Sequence, residues 1–389
     1  GDANVSPLAV YRRAAKADSV QQRRPNVVLI MMESMSAEFM KHFGQSETLT
    51  PFLDSLYTRS ISFRNFYSAG IHTNHGLYAT LYSFPAMMKR NLMKGSVIPR
   101  YSGLPTVLKE NGYYNLFFMT HEGQYDNMNA FFRTNGYDEV FSQEDYPADK
   151  VVNSFGVQDD FLYDYAIPVL NQRAATGQPF FATLLSISNH PPYVIPPFFH
   201  PKTSEPETQI VEYADWALRQ FFEEARKQPW FDNTIFVLEG DHGKLVGDAE
   251  CELPESYNHI PLMIYSSRIQ PEEKTTFGGQ VDIQPTILGL LNIDYLQNNF
   301  GVDLLKEERP CMFYTADNMV VGRNDTLLYL YNYETQQELT YDIGNGKLNA
   351  VPMDDSFLPL KEYSFSMLQS AEFLVKHGKT LNSIPFTQQ

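Results

Sequence analysis

Glu33 follows directly on the apolar run Asn26-Val-Val-Leu-Ile-Met-Met32, and Asp241-His242 comes just after the run Thr234-Ile-Phe-Val-Leu238. A side chain immediately past a buried strand projects at the strand's carboxyl end. Two such runs therefore deliver two carboxylates and an imidazole to one edge of a sheet, an oxygen-and-nitrogen set suited to a divalent cation. A third segment, Ser68-Ala-Gly-Ile-His-Thr-Asn-His-Gly76, places Thr73 between two glycines and ahead of the helix-like Leu77-Tyr-Ala-Thr-Leu81. A hydroxyl at a helix start meets the positive end of the helix dipole and unpaired backbone N–H groups, a setting for an alkoxide or a phosphoryl group. A threonine hydroxyl is a poor nucleophile at neutral pH, so it needs a nearby base or a metal ion. Taken singly, each position also has a plain structural explanation, Thr73 as a helix N-cap and Glu33 as a cap or a solvated loop residue.

The elements that must position these residues are legible as an alternation. Runs at 26–32, 114–119, 180–187, 234–238 and 260–265 are mostly apolar, as strands covered by helices on both faces are. Between them, 51–59, 103–111, 159–172 and 209–228 carry helical spacing, the last with Val211, Ala214, Leu218 and Phe221–Phe222 on one stripe. Pro51 and Pro105 stand near helix starts, where a missing N–H costs little. The pattern predicts an α/β fold, a mostly parallel central sheet flanked by helices, with ligands bound beyond the carboxyl ends of the strands. Residues 1–24 read as a short helical arm or linker, 25–305 as the catalytic domain and 306–389 as a small C-terminal α+β subdomain. In the last, 310–322 and 325–343 read as hairpin strands around Gly322-Arg-Asn-Asp325, and 361–377 as a closing helix.

The 389 residues suffice for a large core and suggest about two domains, and 43% apolar with 20% charged residues exclude wholesale disorder. A net charge of −16 argues against nucleic acid or a bare anionic membrane as the main electrostatic partner and requires any positive charge for an anionic substrate to be local, with a bound metal ion the obvious source. Cys251 and Cys311 are too few for a disulfide scaffold; one disulfide or two free thiols both fit. No run approaches the roughly 20 apolar residues of a membrane helix, which fits a soluble protein or a piece of a longer, anchored one.

Together, the buried strand ending in Glu33, the Gly-x-x-Thr turn at 70–73, the segment Ser188-Asn-His-Pro-Pro-Tyr193 and the late Gly240-Asp-His-Gly243 resemble the alkaline phosphatase superfamily, nearest to its sulfatase-like lipoteichoic acid synthases and phosphoglycerol transferases. The resemblance runs from about residue 25 to 295. It implies one divalent metal, manganese first with zinc or magnesium open, held by Glu33, Asp241, His242 and Thr73. Thr73 would also be the nucleophile, and His190 would hold a substrate phosphate or protonate the departing group. The synthases carry a tryptophan and an arginine ahead of a Gly-Tyr-Asp segment to grip glycerophosphate. Here Met128 occupies the arginine's place before Gly136-Tyr137-Asp138, so Arg133 or Lys244 is the expected substitute, or the headgroup differs.

The resemblance implies a phosphotransferase that takes the headgroup of an anionic phospholipid onto Thr73 and passes it to a glycan or polymer hydroxyl. It would work at the outer face of the bacterial inner membrane or in the periplasm, with a membrane anchor ahead of residue 1. Hydrolysis by the same covalent route is the alternative. Sulfatase activity is disfavoured, because Thr73-Asn-His-Gly-Leu77 lacks the proline and arginine of the Cys/Ser-x-Pro-x-Arg motif. A non-catalytic lipid-binding domain is disfavoured because all four ligands are retained. His72, His75 and His121, the last just past a strand, are expected to line the pocket, and His259, just before a strand, to contact substrate or a second metal. Asp282 is expected to cap a helix, and Tyr78, Phe131 and Phe132 to pack in the core or to line an apolar entrance for lipid.

Overall fold

A computed structural model describes residues 10–12, 24–87, 93, 95 and 97–382. Val10–Arg12 (β1) is a short strand antiparallel to Tyr295–Gln297 (β12), so the described part of the N-terminal arm is extended rather than helical; 1–9 and 13–23 lie outside the described residues. The central sheet contains Asn26–Met32 (β2), Ile61–Tyr67 (β3), Tyr114–Phe118 (β4), Glu139–Phe141 (β5), Phe180–Leu185 (β8), Thr234–Gly240 (β9), Leu262–Tyr265 (β10) and Glu272–Gly279 (β11). Their spatial order is β11-β3-β10-β9-β2-β8-β4-β5. Only β10 runs against the others, being antiparallel to both β3 and β9. The carboxyl ends of β2, β3, β4, β8 and β9 therefore share one edge, and β10 begins at that same edge.

β2 is buried on both faces: Val27, Leu29 and Met31 face one core, Val28, Ile30 and Met32 the other. The first core is covered by Thr73–Tyr82 (α2), Leu104–Glu110 (α3), Met128–Thr134 (α4) and Ile283–Leu290 (α7). Pro51–Thr58 (α1), Asp159–Ala175 (α5) and Pro206–Ala225 (α6) cover the second. In α6 the buried positions Ile210, Val211, Ala214, Ala217, Leu218, Phe221, Phe222 and Ala225 form a single stripe, and Pro206 opens the helix where no N–H is needed. A short hairpin, Val151–Asn153 (β6) and Gly156–Val157 (β7), lies between β5 and α5.

The C-terminal part is an antiparallel meander of Met312–Ala316 (β13), Met319–Arg323 (β14), Leu327–Asn332 (β15), Gln337–Gly344 (β16) and Lys347–Ala350 (β17), closed by Leu358–Lys376 (α8). One face of this sheet packs Tyr314, Val321, Leu328 and Leu330 with Tyr67 and Phe277 of the central sheet. Cys251 and Cys311 are both free thiols.

Candidate active site

β2 and β9 are parallel neighbours in a register that pairs Met32 with Gly240, so the next residues, Glu33 and Asp241, emerge side by side about one strand spacing (~4.8 Å) apart. Ser34 takes the left-handed conformation (φ 51°), which few non-glycine residues adopt. Its N–H donates to Asp241 Oδ1 (2.9 Å) and its hydroxyl to Glu33 Oε1 (3.0 Å). The Glu33 N–H donates to Ser186 Oγ at the end of β8 (3.0 Å). Both carboxylates are buried.

His242 Nδ1 is 2.7 Å from the Gly243 carbonyl. A carbonyl only accepts, so Nδ1 carries the proton and Nε2 keeps its lone pair, as a metal-ligating imidazole requires. Nε2 faces Glu33 Oε1 at 3.7 Å and Asp241 Oδ2 at 3.6 Å. Thr73 opens α2, half-buried, with its hydroxyl 2.8 Å from Asp241 Oδ2 and 3.2 Å from Glu33 Oε2. α2 approaches this closely because residue 76 is glycine: a Cβ there would lie 2.3 Å from the Asp241 carbonyl oxygen.

These residues fit a divalent cation. Ligand atoms of Glu33, Asp241 and His242 all lie within 4.8 Å of one another. Burial, and then the charge of Asp241, push the Glu33 carboxyl well above the ordinary carboxylate range. Two buried carboxylates this close repel unless a cation or a proton intervenes. Donors about 2.1 Å from one ion stand roughly 3–3.5 Å from each other, and the separations of 2.8, 3.2, 3.6 and 3.7 Å bracket that spacing. Two carboxylates, one imidazole and one hydroxyl suit manganese, magnesium or zinc.

His190 stands in the loop after β8, half-exposed, with Nδ1 2.6 Å from the Pro191 carbonyl and its ring 4.1 Å from that of Phe155. The loop is strapped to the turns that follow Glu33 and His242. Asn189 Nδ2 donates to the Ser34 carbonyl (3.2 Å), and Lys244 Nζ donates to Asn189 Oδ1 (2.6 Å) and the Tyr193 hydroxyl (3.0 Å). Burial lowers the Lys244 ammonium to about 8, against the opposing pull of Glu33. His121, at the end of β4, is buried against Tyr125 at 4.5 Å, and that burial lowers its pKa.

Other expected site residues are placed elsewhere. Arg133 donates to Asn129 Oδ1 (2.6 Å) and to the carbonyl of Val140 in β5 (3.3 Å). β5 lies three strands from β2, so Arg133 belongs to the sheet margin, roughly 14 Å away. His259 gives Nδ1 to Glu38 Oε1 (2.7 Å) and Nε2 to the Arg64 carbonyl (2.8 Å), which leaves neither nitrogen for substrate or a second metal. Burial alone would lower its pKa, but Glu38, Glu255 and the Arg64 carbonyl raise it to about 9. His72 pairs with Asp317 from the β13–β14 turn (2.7 Å), and His75 is buried. Tyr78, Phe131 and Phe132 are core residues, not an entrance. Asp282 caps the turn that opens α7, accepting from the Gly279 N–H (2.9 Å), and pairs with Arg309. Ser34, Ser186 and Asn189 brace the site, yet of these only Asn189 lies in a recognisable motif.

The Sulfatase family model matches residues 25–293. Lipoteichoic acid synthase 1 of Bacillus subtilis is 25% identical over 369 residues, covering 88% of this chain and 55% of that protein. Phosphoglycerol transferase I of Xanthomonas campestris is 26% identical over 322 residues, covering 78% of this chain and 46% of that protein. The chain thus spans about half the length of the curated relatives it matches. A crystal structure of an alkaline phosphatase superfamily protein from Vibrio parahaemolyticus superposes with a TM-score of 0.84 at 28% identity, covering 97% of this chain and 92% of that one.

Proposed function

The chain belongs to the sulfatase family, and from that premise we propose that it is a divalent-metal-dependent phosphotransferase acting on a phospholipid headgroup, with Thr73 as nucleophile. The observation that carries this reading is the Thr73 hydroxyl 2.8 and 3.2 Å from two buried carboxylates, beside an imidazole with a free lone pair. Thr73 Oγ1 attacks the phosphorus, its bond to phosphorus forms, and the bond to the lipid alcohol breaks. Asp241 Oδ2, which accepts the hydroxyl's hydrogen bond, lies on the path of the departing proton. A manganese, zinc or magnesium ion held by Glu33, Asp241, His242 and Thr73 would lower the hydroxyl's pKa and offset phosphate charge. His190 commits Nδ1–H to the Pro191 carbonyl and presents Nε2, which in the doubly protonated ring donates to a phosphate oxygen or gives its proton to the leaving alcohol. An acceptor hydroxyl of a glycan or polymer then takes the headgroup from Thr73.

The relatives' names support an anionic glycerophosphate headgroup, and the same reading assigns the reaction to the outer face of the inner membrane or the periplasm. No helix among the described residues is long and apolar enough to cross a membrane. One observation favours a second headgroup: Met128, in the place the synthases give to an arginine, is fully buried.

Intact-mass analysis after incubation with manganese and phosphatidylglycerol vesicles tests the reading. The parent chain should gain a headgroup-sized adduct and Thr73→Ala none; equal labelling of both would remove Thr73 as nucleophile. Phosphatidylethanolamine vesicles run in parallel report the second headgroup. Discharge of the adduct with and without a hydroxyl acceptor separates transfer from hydrolysis.

A further inference from the structure

The site is built on two arms that are remote in sequence. The turn 68–72 delivers Thr73, and the end of β9 delivers Asp241 and His242. Gln280, which opens the turn after β11, is 1% exposed and reaches both. Its Nε2 donates to the Asp241 carbonyl at 2.9 Å, with the Gly240 carbonyl at 3.2 Å, and its Oε1 accepts the Ala69 N–H at 3.0 Å. Gly76 of α2 closes over this point, where an added Cβ would lie 3.1 Å from Gln280 Nε2. One turn further along α2, the Thr80 hydroxyl donates to Glu239 Oε1 (2.5 Å), also buried, so the contact between helix and strand continues as a polar seam.

From this geometry we infer that Gln280 is a positioning residue that fixes the nucleophile arm against the metal arm; the inference rests on the reading of Thr73 and its ligands given above. The carboxamide is the chemical requirement. One side-chain end must present an acceptor to an N–H and a donor to two carbonyls. Glutamate would turn a second oxygen toward the carbonyls, and methionine would satisfy neither side. Either change lets Thr73 Oγ1 and Asp241 drift relative to each other. A displacement of about 1 Å in such a constellation costs on the order of 10²-fold in rate.

The test uses the full chain with Gln280→Met and Gln280→Glu. It measures single-turnover adduct formation over a range of phosphatidylglycerol vesicle concentrations, manganese affinity by titration calorimetry, and thermal stability. Both variants should form the adduct roughly 10–100-fold more slowly at an apparent KM within about twofold of the parent, and bind manganese more weakly. A folded variant that keeps the parent's rate constant and manganese affinity, or whose loss appears in KM alone, overturns the inference. Hydrogen exchange on the parent chain stands even where the variants do not fold. The 277–282 segment contains no metal ligand, yet it should gain protection on manganese binding together with 68–76; no response there also overturns the inference. A parent chain that forms no adduct sinks the nucleophile reading instead, while the metal-affinity and exchange measurements still report on Gln280.

Discussion

The histidines at this edge of the sheet differ in what their ring nitrogens are committed to. His242 and His190 each give Nδ1–H to a backbone carbonyl and retain Nε2 for a metal or a phosphate. His259 gives one nitrogen to a carboxylate and the other to a carbonyl, so it must be protonated on both and is an imidazolium. Its pKa is raised from the 6.5 of a free imidazole to about 9. The stabilisation belongs to the protonated form. It is fully present below about pH 6.5, declines as the pH climbs through 9, and is absent above. The displacement corresponds to about 3 kcal/mol. His259→Gln should therefore cost about 3 kcal/mol of unfolding free energy at pH 6 and much less at pH 9.5, read by urea denaturation at the two pH values. Manganese affinity of the folded variant should match the parent's. An equal cost at both pH values would show that packing, not charge, is what His259 contributes.

At the scale of elements, α2 and α4 meet through rings. Phe131 stands 5.5 Å from Tyr78 and 5.6 Å from Tyr82, and all three are buried. Phe131→Ala should cost about 3–5 kcal/mol through the cavity it leaves, while vesicle binding by the folded fraction stays as in the parent; weaker binding without loss of stability would restore the lipid-entrance role. The sequence pattern made β2, β4, β8, β9 and β10 legible, because each is a largely apolar run with neighbours on both sides in the sheet. β3 and β11 were not, for a physical reason. β11 is the sheet's edge strand, with Glu272 and Glu273 in solvent, and β3 interrupts its apolar residues with exposed Arg64. Neither carries a continuous run or a clean alternation. The clustering of Glu33, Thr73, Asp241 and His242 was legible because the acids and the imidazole come just past central strands and the threonine opens a helix. Gln280 was not: its partners, the Ala69 N–H and the Asp241 carbonyl, are backbone groups that leave no trace in residue type. The partners of Arg133 and His259 were equally hidden, since each is held in part by a backbone carbonyl, that of Val140 or Arg64.

At the scale of the whole molecule, the C-terminal sheet is joined to the site rather than appended to it. The Thr315 N–H donates to the Ala69 carbonyl in the turn that leads to Thr73 (2.9 Å), and Asn258 Nδ2 links the Ser68 and Thr315 carbonyls (3.3 and 3.2 Å). α8 adds Ala371 and Leu374 to the same core that α2 packs on. An ion pair joins Arg323 of β14 to Glu255 (2.7 Å), in the 243–259 segment that begins just past His242. Arg323 is mostly buried and also lies over the Tyr67 ring, 5.5 Å from its centroid. Glu255 keeps 37% of its side chain exposed, so water compensates part of the loss when its partner is removed. Arg323→Met should therefore cost about 1–2 kcal/mol, below the roughly 3–5 kcal/mol of a fully buried pair. Because catalytic core and C-terminal sheet share the Tyr67–Phe277–Tyr314 cluster, calorimetry should record one unfolding transition in both parent and variant. The variant's transition should come at lower temperature, and manganese should raise it by less than it raises the parent's, since the loop that begins at His242 has lost one of its ties to the C-terminal sheet. Two resolved transitions in the parent would mean that the C-terminal sheet folds by itself and that the link to the metal loop does not couple them.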